Sequence, residues 1–311
     1  GSWEMNKELG VKVPATTANI GSGFDTLGIA LSLYNEVYFE PDKSLLLAQS
    51  EFYVEGEGKA EIFPGKSNMI LQAMEAVSKK IGKEIPGGKF RLVNRIPLAR
   101  GLGSSSSALV AGAFLANQYL GDILSKDEIL NITAGIEGHP DNVAPAVWGG
   151  FCISSQRDDT VIINKVKIDS SWESVVVIPD FELLTEKARS VLPVAYSRQA
   201  VVNNIRSLSF LLSAFFFQKP EFLKLGLEDF VHVPYRLSLI PGGAEAIQNA
   251  YEAGAYGATI SGSGPTMIAF TDKKSATSVA ENMLSAFLKQ NITARYMILE
   301  FDQNGVSPII Y

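Results

Sequence analysis

Cysteine is almost absent from this chain of 311 residues; Cys152 stands alone. No internal disulfide and no cysteine-ligated metal cluster can form, which suits a reducing compartment. Histidine is nearly as scarce, with only His139 and His232, and this argues against a multi-histidine zinc site. No apolar run is long enough to cross a bilayer, which takes about 20 residues. The longest, "FLLSAFFFQKP" at 210–220, reads as a buried helix. The start, "GSWEMNKE", lacks the basic flank and apolar run of a signal peptide. Residues 1–4 read as an added leader with Met5 as the native start, and a cytoplasmic protein is expected. Positive charge is in deficit, with a formal net charge of −6. That speaks against a nucleic-acid or anionic-membrane partner. An anionic small ligand, which needs only a local positive field, stays open.

What is present is ample apolar material. Hydrophobic residues make up 46% and charged residues 19%, the composition of a globular chain with core enough for two domains or one large one. Apolar clustering predicts strands at 11–13 and 29–39, with "PATTANIGSGFD" as a polar loop between them. A helical stripe runs through Met69, Ala73, Val77 and Ile81, with Gly82 as its stop. The alternation in "GGKFRLVNRIPL" predicts a strand ending at Pro97. Helices follow from Ala108 and over 126–136. From about residue 151 strands and helices alternate: a strand at 175–179, helix over much of 194–231, then helix 244–254, strand 266–270, helix 274–290 and strand 295–301. The whole reads as α+β.

One stretch fits no packing rule. "RIPLARGLGSSSSALVAGAFLANQYLG", 95–121, sets two glycines and four serines directly before an apolar helix. The free N–H groups of a first helical turn converge on one point, and the helix dipole favours negative charge there. Glycines let the backbone approach a ligand closely, and serine hydroxyls add donors, one of which can ligate Mg²⁺. The pattern suits phosphate, although the Lys-Ser/Thr ending of a Walker A loop is missing. The bland alternative is a glycine turn with a serine N-cap, but a cap needs one serine. A serine hydrolase is disfavoured, because neither this loop nor "SGSGP" (261–265) matches the G-x-S-x-G elbow. "GATISGSGPTMIAF" (257–270) is a second Gly/Ser loop, able to form another anion nest or to brace the first. Glu137, followed by the polar "GHPDN", is a candidate carboxylate for Mg²⁺.

Together these residues resemble the GHMP kinase superfamily. Its three motifs occur in order as "VPATTANIGSGFDTLG" (13–28), "PLARGLGSSSSA" (97–108) and "SGSGPTMIAF" (261–270), and the resemblance covers nearly the whole chain. Within the superfamily the sequence is most similar to the homoserine kinases, through "PATTANIGSGFD", "EGHPDNVAPAVWGG" (137–150), "TEKAR" (185–189) and "HVPYR" (232–236). Mevalonate kinases carry a lysine where Thr16 or Thr17 stands here. Homoserine kinases often have glutamate at the place of Val233.

The resemblance implies an α+β, two-domain GHMP kinase fold: an N-terminal domain (5–155) like ribosomal protein S5 domain 2, with a left-handed β-α-β unit, and a ferredoxin-like C-terminal domain (156–311). It implies ATP, Mg²⁺ and L-homoserine as ligands, and a homodimer, since homodimers are common among relatives. Nucleotide contacts would come from Asn68, on the adenine side, from Pro97, Leu98, Ala99, Arg100, Gly101, Leu102, Gly103 and Ser104 to Ser107, and from Gly262 and Ser263. Ser104 and Glu137 would hold the metal. Asp25, helped by Asn19, would meet the substrate ammonium; Arg189 and Arg236 would grip its carboxylate; His139 would line the pocket. Asn142 would hold the attacking hydroxyl, and Thr185 would lie near the transferring phosphoryl group. With no aspartate at Asn142, no dedicated carboxylate base is expected. The other readings are a different small-molecule kinase of the superfamily, or a non-catalytic nucleotide-binding protein on the same fold.

Overall fold

A computed structural model of the chain describes residues 8–58 and 65–310, with 65–68 described by backbone alone. The proposed start at Met5 and the side chain of Asn68 lie outside the described residues.

β1 (Leu9–Ala18) and β2 (Leu27–Pro41) pair antiparallel. β3 (Glu51–Gly56), α1 (Gly65–Ile81) and β4 (Gly88–Asn94) form a β-α-β unit, β3 parallel to β4 and β4 antiparallel to β2. Then come α2 (Ser104–Tyr119), α3 (Lys126–Glu137) and α4 (Val143–Trp148). The hairpin of β5 (Phe151–Arg157) and β6 (Thr160–Val166) joins this first sheet through β2.

A second sheet begins at β7 (Trp172–Pro179). Four helices follow it: α5 (Thr185–Ser190), α6 (Arg198–Phe216), α7 (Leu223–Leu227) and α8 (Val233–Arg236). After them come α9 (Gly243–Glu252), β8 (Gly257–Ile260), β9 (Met267–Asp272), α10 (Ala276–Leu288) and β10 (Ala294–Leu299). The strand order is β10-β7-β9-β8, all antiparallel. That is a ferredoxin-like β-α-β-β-α-β unit with a helical insertion before α9. The chain then returns, and β11 (Ser307–Pro308) pairs with β1. Residue 155, where the division is expected, lies within β5, and the first sheet continues through β6 to Val166.

Three apolar cores result. The first packs the inner face of the first sheet (Phe39, Phe90) against α1 to α4. The second lies between the sheets, where Phe151 and Leu27 meet Val176, Phe270 and the α6 residues Leu211 and Phe215. The third sets Val175, Val177 and Ile260 against α9 and α10. Neighbouring residues of β7 therefore face different cores, as the two-residue period of a strand requires, and "VVVIP" is an unbroken apolar run because both faces are covered.

Around the site the structure departs from the sequence reading as follows. Residues 14–18 are strand, not loop; Thr16 and Thr17 are fully buried because each hydroxyl has a distant partner. β4 ends at Asn94, short of Pro97. The polar "HPDN" turn leads straight into α4, a short helix whose turn-rich surroundings conceal it.

Candidate active site

α2 is enclosed by α1, α3, α4 and β1, and it is buried nearly all round from Ser106 to Asn117. Its N-terminus opens into a cleft of about 450 Å³ at the junction of the two sheets. The loop leading to it turns its carbonyls away from that cleft. The carbonyl of Arg100 accepts from Thr266 N, that of Gly101 from Ser261 Oγ at 2.7 Å, and that of Leu102 from Thr16 N. Gly103 is the N-cap at φ 74°, without a side-chain cap, which rules out the serine-cap alternative. A Cβ there would sit 2.1 Å from Thr16 Oγ1, and one on Gly101 2.3 Å from the Ser261 carbonyl. The first-turn amides of α2 are thus left for a ligand.

The second Gly/Ser loop acts as a brace. Gly262 N donates to the Ala18 carbonyl, its own carbonyl accepts from Asn19 Nδ2 at 3.0 Å, and Ser261 Oγ pairs with Thr17 Oγ1 at 2.8 Å. The Gly262 amide is therefore engaged and offers no anion nest, although Gly262 and Ser263 do line the cleft.

Most expected site residues meet in this one cleft: Asn19, Asp25, Ala99, Arg100, Gly101, Gly103, Ser104, Ser105, Ser106, Glu137, His139, Asn142, Thr185, Arg189 and Arg236. Four do not. Pro97 and Leu98 line a neighbouring hollow of about 360 Å³ with Glu57 and Gly58. Leu102 is buried in the core between the sheets. Ser107 points back along α2 to the Ser104 carbonyl.

Glu137 is the last residue of α3, where the helix dipole disfavours a negative charge. Its carboxylate accepts from Ser105 Oγ at 3.2 Å and from Ser106 Oγ at 3.3 Å. The serines that reach it are those one and two places beyond the expected Ser104, because the helical twist carries them toward α3. Hydroxyl and carboxylate oxygens are the donor set that suits Mg²⁺. An anion at a helix C-terminus gives that cation a further electrostatic reason to bind.

Elsewhere in the cleft Asn19 Oδ1 accepts from the Asp25 amide at 2.9 Å, holding Asp25 in a left-handed conformation at φ 54°. Arg189 donates to Asp25 Oδ1 at 2.8 Å. Arg236 is 1% exposed, and burial, followed by the nearby Arg189, brings its guanidinium pKa down to about 10. Phe24 lies beneath both arginines, 5.5 Å from Arg189 and 5.3 Å from Arg236. His139 Nδ1 lies 2.7 Å from Asp141 Oδ1, and this hydrogen bond raises the imidazole pKa. Thr16 Oγ1 donates to Asn142 Oδ1 at 2.8 Å, which leaves the amide nitrogen of Asn142 as the donor available to a ligand.

Asp141, Thr16, Phe24, Asp229 and His232 were given no role by the sequence. Asp141 could have been found from "HPDN", since an acid beside a histidine in a polar turn is seldom core. Thr16 and Phe24 give no local signal, because their partners lie far along the chain, and the Asp229 and His232 contacts, although close in sequence, follow no periodic pattern.

A buried helix mouth that shares one cleft with two arginines suits an enzyme that brings a phosphate donor to an anionic small molecule. Residues 68–150 match the model of the GHMP kinases N-terminal domain, and 221–290 that of the GHMP kinases C-terminal domain. The homoserine kinase of Desulfitobacterium hafniense is 41% identical over 96% of this chain and 99% of its own. That of Carboxydothermus hydrogenoformans is 42% identical over 96% of each. The crystal structure of homoserine kinase from Cytophaga hutchinsonii superposes with a TM-score of 0.88 at 27% identity, over 99% of both chains. The chain belongs to the homoserine kinase family of the GHMP kinases.

Proposed function

We propose that this chain transfers the γ-phosphoryl group of ATP to the side-chain hydroxyl of L-homoserine, giving O-phospho-L-homoserine, an intermediate on the route to threonine. One observation carries the reading: the amide-lined mouth of α2 and the Asp25, Arg189, Arg236 cluster line a single cleft. Homoserine carries an ammonium, a carboxylate and a hydroxyl. Asp25 takes the first, and the arginines take the second by forked pairing. Asn142 donates its amide to the hydroxyl oxygen and sets its line of attack.

The α2 amides and the hydroxyls of Ser104, Ser105 and Ser106 hold the triphosphate, and Thr185 stands by the transferring group. Ser105 or Ser106 with Glu137 would hold Mg²⁺, which when bound neutralises charge on the phosphoryl oxygens. No carboxylate base is assigned, since Asp141 is buried and engaged by His139. Positioning and charge neutralisation dominate phosphoryl transfer, so the hydroxyl proton leaves late, to the γ-phosphate or to solvent. We propose further that the protein works as a homodimer in the cytoplasm. No helix among the described residues is long and apolar enough to cross a membrane.

The test is ADP release by the purified protein with homoserine, mevalonate, galactose and shikimate in turn. Release with homoserine alone is expected. Release with another member of the panel points to a different kinase, and release with none points to a nucleotide-binding protein.

A further inference from the structure

Behind the substrate wall lies a chain of polar groups with no contact to the cleft of their own. Asp229, its side chain fully buried, accepts the backbone amides of His232 at 2.7 Å and Val233 at 2.6 Å on Oδ2, and that of Val231 at 3.1 Å on Oδ1. That fixes the start of α8 and the place of His232, which is 0% exposed. The imidazole is held from both sides. Nε2 lies 2.9 Å from the carbonyl of Gly21, and Nδ1 lies 3.1 Å from NH1 of Arg236. A carbonyl can only accept and a guanidinium can only donate. The ring is therefore the neutral Nε2–H tautomer, with a bare lone pair on Nδ1 toward Arg236. Burial favours the same state and lowers the imidazole pKa. The charged groups facing the ring are Asp229, Arg236 and Asp25.

Arg236 uses Nε on the Ala188 carbonyl at 3.2 Å and one NH1 hydrogen on His232. The rest of its fork remains for the cleft it lines. Gly21 serves the same chain. It stands at φ 60°, and a Cβ there would lie 2.6 Å from the Leu227 carbonyl, so only glycine brings its carbonyl to Nε2. Phe24 stacks on the imidazole at 5.0 Å, closing off its face.

We infer that His232 is a positioning residue for recognition of the substrate carboxylate: as a neutral acceptor anchored by Gly21, it sets the angle of the Arg236 guanidinium. The inference rests on the homoserine reading above.

Two near-isosteric variants separate the halves of the imidazole. In His232→Asn the amide oxygen takes the place of Nδ1 and keeps the acceptor for Arg236. In His232→Gln the amide nitrogen takes the place of Nε2 and keeps only the link to Gly21. The expected result is a KM for homoserine close to wild type in H232N and raised about tenfold or more in H232Q, the worth of a hydrogen bond to a charged group. The KM for ATP should stay near wild type in both. Equal homoserine KM values in the two variants, the reverse order, or a matching rise in the KM for ATP would overturn the inference. Loss of folding in H232N while H232Q folds would do the same, since the acceptor would then not be the group that matters. Wild-type turnover of homoserine is the control. Its absence sinks the functional reading, whereas turnover with indistinguishable variants sinks this inference alone.

Discussion

Arg189 and Asp25, 164 positions apart in the chain, meet at the cleft as an ion pair of 2.8 Å. Their side chains are 41% and 37% exposed, and an exposed pair of this kind is worth at most about 1 kcal/mol. A zwitterion can therefore exchange into it at little cost, its ammonium on Asp25 and its carboxylate on Arg189. Asp25→Asn tolerates the left-handed backbone but loses the charge. It should raise the KM for homoserine about tenfold and leave that for ATP in place. Steady-state kinetics with each substrate varied in turn checks this; an unchanged homoserine KM would remove Asp25 from the pocket.

Glu137 and its two serine donors give a second expectation. Glu137→Gln keeps the size of the side chain and removes its charge. The charge stabilisation at stake is several kcal/mol, so kcat should fall about 100-fold or more, with the Mg²⁺ concentration for half-maximal rate shifted upward. Ser106→Ala and Ser105→Ala should shift the Mg²⁺ dependence less. A magnesium titration of all three against wild type distinguishes a metal role from a purely structural one, which would lower the rate at every magnesium concentration alike.

Asn142 and Thr16 should act as a unit. Asn142→Ala is expected to lower turnover while nucleotide binding persists. Thr16→Val removes the hydroxyl that orients the amide, so it should lower kcat in the same direction, with recovery in Thr16→Ser. Nucleotide affinity measured by calorimetry is the counter-check: a loss equal to the loss in rate would move both residues to the nucleotide side.

The buried neutral imidazole of His232 makes stability depend on pH. Its folded pKa is lowered, chiefly by burial, so the folded state resists protonation. The contribution is fully present above the ordinary histidine value of about 6.5 and is lost as pH falls through that value toward the folded pKa. Urea unfolding at a series of pH values should show stability declining below about pH 6.5. In His232→Asn, which cannot titrate, that part of the slope should be missing. An identical slope in both proteins would place the acid sensitivity elsewhere.

The sequence reveals some of these features and hides others for a physical reason. The anion-binding mouth of α2 is legible because its glycines and serines are contiguous, and a helix N-terminus is a local structure. The helices with a clear stripe, α1 and α3, are legible for the same reason. β3, β5, β6 and β11 are not, because partly exposed strands with mixed polarity carry little period. Arg189 and Arg236 come from resemblance, since single arginines have no periodicity to betray them. The support behind them is still less visible: Gly21 and His232 are 211 positions apart, and Thr16 and Asn142 are 126 apart. Only the closed fold brings such partners together.

The polypeptide passes between the two sheets twice, once from β6 to β7 and again from β10 back to β11. The second passage is stitched to β2 by the bonds Ser32 N to Glu300 O and Asp302 N to Ala30 O. The buried core between the sheets and the bonds Gly262 N to Ala18 O and Thr266 N to Arg100 O fasten the halves as well, so both sides of the cleft belong to one continuously packed body.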